Sequence, residues 1–241
     1  MRNYILRGTT FDGSIRVFTA NTKEIYEYAK KLHNLSDFSA KEFGKMLTAG
    51  ILMSATLKSD KDLLTISLKV DGEISGIVVT ANSKQEIKGY VYEPQANGPL
   101  GDGSISVVKD LGLKEPIVSL GPIIDSDIEK TLNHFFETSE QVKTRFILSY
   151  DGGQFIQLMP GASEEAKAKF ESGVNGEDIK IHEKLSVTFS CDCSREKALK
   201  AIIPLGKAEL LDIIKIDGHI NIHCHFCNSD YKFFEADVKT M

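Results

Sequence analysis

All four cysteines of this 241-residue chain lie in its last quarter, as Cys191-Asp-Cys193 and Cys224-His-Phe-Cys227. A C-x-C and a C-x-x-C joined by a helical stretch supply four thiolates, the number that surrounds one metal ion tetrahedrally, and zinc is the metal expected for such a sulfur set, one ion per chain. A segment that brings two distant thiol pairs to one point has few ways to fold. Val187, Phe189, Cys191 and Cys193 share the period of two of a strand, which aims both thiols of the C-x-C to one side. Ser194 is placed to cap a helix that begins Arg195-Glu196-Lys197 and carries Ala198, Ile202 and Ile203 as its apolar stripe before Pro204 and Gly206 break it. A second helix, Lys207 to Ile214, leads through Asp217-Gly218 to a strand in which Ile220 and Ile222 alternate toward Cys224. The C-x-x-C is then expected to fold as a knuckle. Such a unit lacks a large core, so zinc binding, roughly 10–16 kcal/mol in finger peptides, supplies most of its folding free energy.

The rest of the chain is free of cysteine and has ordinary globular content, 41% hydrophobic and 26% charged residues. A net charge of -5 gives no global attraction to nucleic acid or to anionic membrane surfaces. The start, Met-Arg-Asn-Tyr-Ile-Leu-Arg-Gly, has no apolar run of signal-peptide length, and the longest apolar stretch, Ala49 to Leu57, is interrupted by Gly50, Ser54 and Thr56. A soluble, cytoplasmic protein is expected. In a reducing compartment clustered cysteines are metal ligands or redox-active thiols rather than a permanent disulfide framework.

The pattern predicts an α+β protein: a large N-terminal domain of mixed β-sheet with flanking helices over 1–161, a short linker over 162–186, and a small four-cysteine zinc domain over 187–241. Tyr4 to Arg7 and Ile15 to Thr19 read as strands around the hairpin signal Asp12-Gly13. A helix follows from Thr22, its cap, to Leu32, with Ile25, Tyr28, Ala29 and Leu32 on one face. A longer helix starts at the capping box Ser39-Ala-Lys-Glu42 and carries Phe43, Met46, Leu47, Ile51 and Leu57, while Gly44, Ala49 and Gly50 let another element come close. Leu64 to Val70 and Ile74 to Thr80 form a hairpin around Asp71-Gly72. Ile87 to Tyr92, Ser104 to Val108 and Pro116 to Leu120 continue as strands, Asp125 to Glu137 is a helix, and Thr144 to Tyr150 with Gln154 to Met159 closes the domain as a hairpin around Asp151-Gly-Gly153. From Ala162 to Lys184 the chain is charged, poor in large apolar residues and punctuated by Gly173 and Gly176, so it reads as a short helix and a link.

Several readings of the cysteine cluster stay open at this level. A closed four-thiolate shell is often purely structural, with no position for a water nucleophile. His219, His223 or His225 could replace a cysteine as ligand. A nucleic-acid-reading zinc ribbon is disfavoured by the balance of 7 basic and 8 acidic residues from Val187 to Met241. No other constellation points to an enzyme: His33, Ser36 and Asp37 read as capping and solvation, Gly101-Asp-Gly103 as a tight turn, Asp125 and Asp127 as a helix N-terminus, and His134 with Phe135 and Phe136 as one helix's mixed face.

Cys191-Asp-Cys193-Ser-Arg-Glu, Leu205-Gly206, Glu209-Leu210, Cys224-His-Phe-Cys227-Asn228 and Tyr231 together resemble the C-terminal redox switch of the heat-shock protein 33 family of bacterial chaperones. His33-Asn-Leu-Ser36, the Gly44 to Lys58 helix, Asp71-Gly72, Lys88-Gly-Tyr90, Gly101-Asp-Gly103, Ser139-Glu-Gln141 and Gly153 to Pro160 resemble that family's N-terminal domain in the same order. The resemblance implies an ATP-independent holdase, not an enzyme, that binds unfolding client proteins under oxidative stress. It implies Cys191, Cys193, Cys224 and Cys227 as zinc ligands in the reduced form, two disulfides in the oxidised form, Cys191–Cys193 and Cys224–Cys227, zinc loss on activation, and a homodimeric active state. The chain departs from the family in one place. Only 30 residues lie between Pro160 and Cys191, where the family carries a markedly longer, largely helical linker. A constitutively active or non-switching member with a purely structural zinc unit is the alternative.

Overall fold

A computed structural model describes residues 3–11, 13–174 and 179–239; Asp12 of the expected first turn and Gly176 of the expected link lie outside the described residues. The chain divides into two units, one ending at Ser190 and the other beginning at Cys191.

In the large unit β1 (Tyr4–Thr10) and β2 (Ile15–Asn21) lead into α1 (Lys23–Leu32) and α2 (Asp37–Ser54). Then come β3 (Leu63–Val70), β4 (Gly76–Asn82), β5 (Glu86–Val91), β6 (Gly103–Asp110), β7 (Ile117–Pro122) and α3 (Ile128–Thr138). The unit ends with β8 (Thr144–Ser149), β9 (Gly152–Leu158), α4 (Glu164–Ser172), β10 (Lys180–Ser186) and β11 (Thr188–Phe189). Two sheets result, one ordered β10-β1-β2-β9-β8 and the other β11-β5-β4-β3-β6-β7. Neighbours are antiparallel except β11, which runs parallel to β5 and makes the second sheet mixed.

Helix α2 packs against strands of both sheets. It buries 14 of its 18 residues, so its apolar positions run all round rather than along one stripe. Two glycines permit that fit. A Cβ on Gly44 would sit 2.3 Å from the Tyr150 carbonyl oxygen, and one on Gly50 would meet Ile87 and Val79 at 3.0 and 3.3 Å. The helix begins earlier than its capping-box signal suggests. Ser36 is the N-cap, its Oγ accepting from Ser39 N–H at 3.1 Å, whereas the Ser39 hydroxyl is buried and donates to the Glu93 and Ala96 carbonyls at 3.2 Å each. Thr22 likewise precedes α1 without capping it, because its hydroxyl is committed to Thr48 of α2 at 2.8 Å.

The segment 162–186 is more than a link. Ser163 caps α4, whose Ala166 and Phe170 are buried against Ile15 and Val17 of β2 and Ile156 of β9, on the sheet face opposite α2. Strand β10 then pairs antiparallel with β1 from Tyr4↔Ser186 to Thr9↔Lys180. Its side chains are mostly exposed and polar, and it is held by the ladder together with Arg7–Glu183 at 3.0 Å and Thr9 Oγ1–His182 Nε2 at 2.7 Å. The large unit also extends past Val187. That side chain is 3% exposed within the main core, and Thr188–Phe189 pairs with β5, so the boundary falls after Ser190.

The small unit contains α5 (Arg195–Ile202), a 3-10 turn at Ile203–Leu205, α6 (Lys207–Asp217), the hairpin β12 (Ile220–Cys224) and β13 (Ser229–Phe233), and α7 (Glu235–Lys239). Ser194 caps α5 by accepting from Lys197 N–H, and Gly218 ends α6 at a φ of 79°, a left-handed conformation that suits glycine. Ile202, Leu210, Ile214, Ile220, Phe233 and Val238 form its buried cluster. Arg195 ties the pieces together, donating to the Lys232 carbonyl at 2.6 Å, pairing with Asp237 at 2.8 Å and lying over the Phe233 ring. Among the described residues no helix is long and apolar enough to cross a membrane.

Candidate metal centre

The β12–β13 hairpin positions the second thiol pair. Cys224 is paired with Ser229 at the end of the ladder, and its carbonyl accepts from Cys227 N–H at 3.3 Å and Asn228 N–H at 2.8 Å. Asn228 closes this knuckle at a φ of 54°, which asparagine tolerates better than most residues. The first pair is held differently from the strand expected for it. Regular pairing stops at Phe189, and Cys191 to Ser194 form a loop with no strand ladder. Without a ladder to hold the chain extended, the period of two does not set the direction of the thiols.

The four sulfurs converge all the same: one ligand atom from each of Cys191, Cys193, Cys224 and Cys227 lies within 4.8 Å of all the others. Cys191 Sγ is 3.7 Å from Cys224 Sγ, and Cys193 Sγ is 3.2 Å from Cys227 Sγ. A zinc ion with Zn–S bonds of about 2.3 Å requires sulfurs about 3.8 Å apart, so the set matches a tetrahedral thiolate shell far better than disulfides, whose sulfurs are about 2.05 Å apart. All four cysteines are free thiols and each is half-buried. His219, His223 and His225 do not join the group. His223 instead bonds Asp230 at 3.0 Å and packs edge-on against His225, and His219 lies against Phe234.

The electrostatics of the cluster fit a cation. Burial pushes the Cys191 thiol up to about 12 and also raises Cys224. Burial pushes Cys227 up as well, but its contacts with Ser229, Cys193 and Cys224 outweigh that and bring it to about 7. Four sulfurs this close do not ionise together without a compensating charge, which a dication supplies. Two hydroxyls border the sulfurs: Ser229 Oγ is 3.3 Å from Cys227 Sγ and the Tyr231 hydroxyl 3.1 Å from Cys193 Sγ. The contact with Cys193 is the leading cause that holds the Tyr231 phenol protonated, its pKa pushed up to about 12. Lys197, on the first turn of α5, forms an ion pair with Asp192 between the two cysteines of the C-x-C. Neither Tyr231 nor Lys197 stands out as a site residue from spacing alone.

The weaker sequence candidates have structural roles. Ser36 caps α2, Asp37 pairs with Lys30, and His33 is buried against the ring of Phe43. Gly101 and Gly103 make a turn in which Asp71 accepts from Asp102 N–H at 2.7 Å. Asp127 caps α3, accepting from Lys130 N–H at 2.8 Å.

Comparison with known proteins covers the whole chain. The family model described as Hsp33 protein matches residues 3–175 and 166–234. The 33 kDa chaperonin of Ruminiclostridium cellulolyticum is 34% identical over 286 aligned positions, covering 100% of this chain and 98% of that protein. The 33 kDa chaperonin of Clostridioides difficile is 33% identical, covering 99% of this chain and 98% of its own. The crystal structure of the 33 kDa chaperonin (heat shock protein 33 homolog) of Thermotoga maritima superimposes with a TM-score of 0.88 at 26% identity, over 100% of this chain and 97% of that one. An alignment of 286 positions against 241 residues leaves at least 45 positions without a counterpart here, and the two pieces of the family match meet at 166–175. With a full-length family match and relatives above 30% identity, the chain belongs to the Hsp33 family.

Proposed function

We propose that this chain is a redox-regulated holdase, a chaperone that binds unfolding proteins without ATP and is switched by the oxidation state of Cys191, Cys193, Cys224 and Cys227. The observation that carries this reading is the gathering of four thiols within 4.8 Å in a unit whose buried cluster has six apolar residues among those described. Zinc bound by the four sulfurs would hold them as thiolates and cross-link the C-x-C loop to the C-x-x-C knuckle.

The cysteines themselves supply the switch chemistry. A thiolate sulfur attacks one oxygen of hydrogen peroxide; the S–O bond forms, the O–O bond breaks, and the departing hydroxide takes a proton to become water. The neighbouring thiolate then attacks that sulfur, forming S–S and releasing the second oxygen as water after another proton. Two peroxides thus convert four cysteines to Cys191–Cys193 and Cys224–Cys227, the pairing that the family resemblance implies. In the reduced cluster the 3.7 and 3.2 Å contacts run between the loop and the knuckle. Disulfides within each pair abolish that tie, and a unit with so small a core then loses its fold. Apolar surface freed in this way holds clients by mass action rather than turnover. In the large unit β7 is an edge strand with Ile117, Val118 and Leu120 exposed at 44%, 59% and 66%, a further surface for extended apolar segments. A homodimer is the proposed active assembly.

Light scattering of a heat-denatured client, with zinc release followed in the same samples, tests the proposal. Suppression of aggregation by peroxide-treated protein and not by zinc-loaded reduced protein is expected. The stretch of at least 45 alignment positions without counterpart favours a second reading, a holdase that is active in both redox states because its link is short. Suppression by both forms would establish that reading, and suppression by neither would return the zinc unit to a structural role.

A further inference from the structure

We propose that Tyr231 is a positioning residue for Cys193: its hydroxyl donates a hydrogen bond to the Cys193 sulfur, holds that sulfur in the cluster and lowers its nucleophilicity toward oxidants. The proposal rests on the redox reading above and adds to it a residue that sets the rate at one sulfur. Tyr231 Oη and Cys193 Sγ are 3.1 Å apart. A thiolate has no proton to give, so in the reduced, metal-competent state the phenol is the donor. The two residues belong to different parts of the small unit. Cys193 lies in a loop with no ladder of its own, whereas Tyr231 sits in β13 opposite Ile222, with its ring packed against the buried cluster. The hairpin therefore presents a rigid hydroxyl to a sulfur that the loop alone would hold loosely. Ser229 Oγ also touches a sulfur, but it lies two residues from Cys227 in the same turn, so that contact is local and does not join separate segments.

The direction of the effect follows from where charge moves. When Cys193 attacks peroxide, its lone pair becomes the S–O bond, the O–O bond breaks, and negative charge passes from sulfur to the departing hydroxide, which is protonated to water. A hydrogen bond donated to the sulfur is strongest before attack and weakens as that charge leaves, so it stabilises the ground state more than the transition state. Tyr231 thus slows oxidation and alkylation at Cys193 without blocking either.

The test uses the full, zinc-loaded chain and the Tyr231→Phe variant, which loses only the hydroxyl. Iodoacetamide labelling is stopped at low conversion and read cysteine by cysteine by mass spectrometry. Cys193 labelling is expected to rise roughly two- to tenfold, the rate equivalent of one hydrogen bond. Cys191, Cys224 and Cys227 should stay near their wild-type rates, and the sulfur-to-metal charge-transfer band of the Co2+-substituted protein should shift to lower energy. An unchanged Cys193 rate, or an equal rise at all four cysteines, overturns the proposal. If Tyr231→Phe does not hold zinc, incorporation of 3-fluorotyrosine at the seven tyrosines keeps the ring shape and makes the phenol a stronger donor. Labelling of Cys193 should then slow, and an unaltered rate there also overturns the proposal. Labelling does not require a redox switch, so peroxide that fails to release zinc from the wild type counts against the proposed function while leaving the Tyr231 assignment to stand or fall on its own.

Discussion

The two units order their chains by different means. Among the described residues the large unit gathers 37 buried apolar residues into one cluster between two sheets, and α2 alone contributes more buried positions than the whole small-unit cluster of six. The small unit has its six apolar residues, one arginine that ties three elements, and four sulfurs that meet at a point. Apolar burial is spread over many contacts, so losing one weakens a fold without abolishing it. A metal-type cross-link is concentrated in a few atoms and fails as a whole when its donors are consumed. That difference sets a broad apolar core against a small unit in which four sulfurs converge.

Chelation is the largest test of the contrast. Stripping zinc from the loaded chain should remove roughly 10–16 kcal/mol from the small unit, on the scale of zinc-finger peptides. Hydrogen exchange is then expected to lose protection over α5, α6 and the β12–β13 hairpin while β3 and β4 keep theirs. Persistent protection of α5 and α6 would break the comparison. A smaller effect is expected for Phe135→Ala, at a side chain 0% exposed in the large core. It should cost about 3–5 kcal/mol and lower the melting temperature of the large unit, with zinc stoichiometry and small-unit exchange unchanged. The smallest and sharpest test pairs two helix caps. Asp127→Ala and Ser194→Ala should each cost about 1 kcal/mol. The first should appear as a lower melting temperature of the large unit. The second should appear as about a fivefold loss of zinc affinity in a competition titration, because folding of the small unit and metal binding are one equilibrium.

What was legible in the sequence follows from how local each signal is. Ser194 as a cap, the Asp71-Gly72 hairpin and the Cys224 to Cys227 knuckle depend on residues a few positions apart, and each forms as its residue types predict. The α+β class and the convergence of the four thiols could also be read directly. Strand β10 could not, because its sequence Lys-Ile-His-Glu-Lys-Leu-Ser has no buried face; it is a strand through pairing with β1, at the other end of the unit. The capping-box signal places the start of α2 too late because Ser36 and Ser39 are both competent caps, and only the carbonyls of Glu93 and Ala96, far along the chain, recruit Ser39 into the helix. The C-x-C loop has the period of a strand, yet no neighbouring strand pairs with it beyond Phe189, so the ladder that would fix that period is missing. Tyr231 was visible as a family-like residue, but its contact with Cys193 depends on how the hairpin meets the loop.

The pairing of β10 with β1 also sets an order of events during synthesis. Tyr4 waits for Ser186. At roughly 5–20 residues per second, the ribosome needs about 9–36 s after β1 is made before that strand can gain its second neighbour. Until then the nascent sheet has an open edge on its first strand, which makes this interval the natural moment for help from other chaperones. Cys191 follows Ser186 by five residues, so the first thiols of the cluster are made just after the scaffold can close, and Cys227, 36 residues later, completes the set.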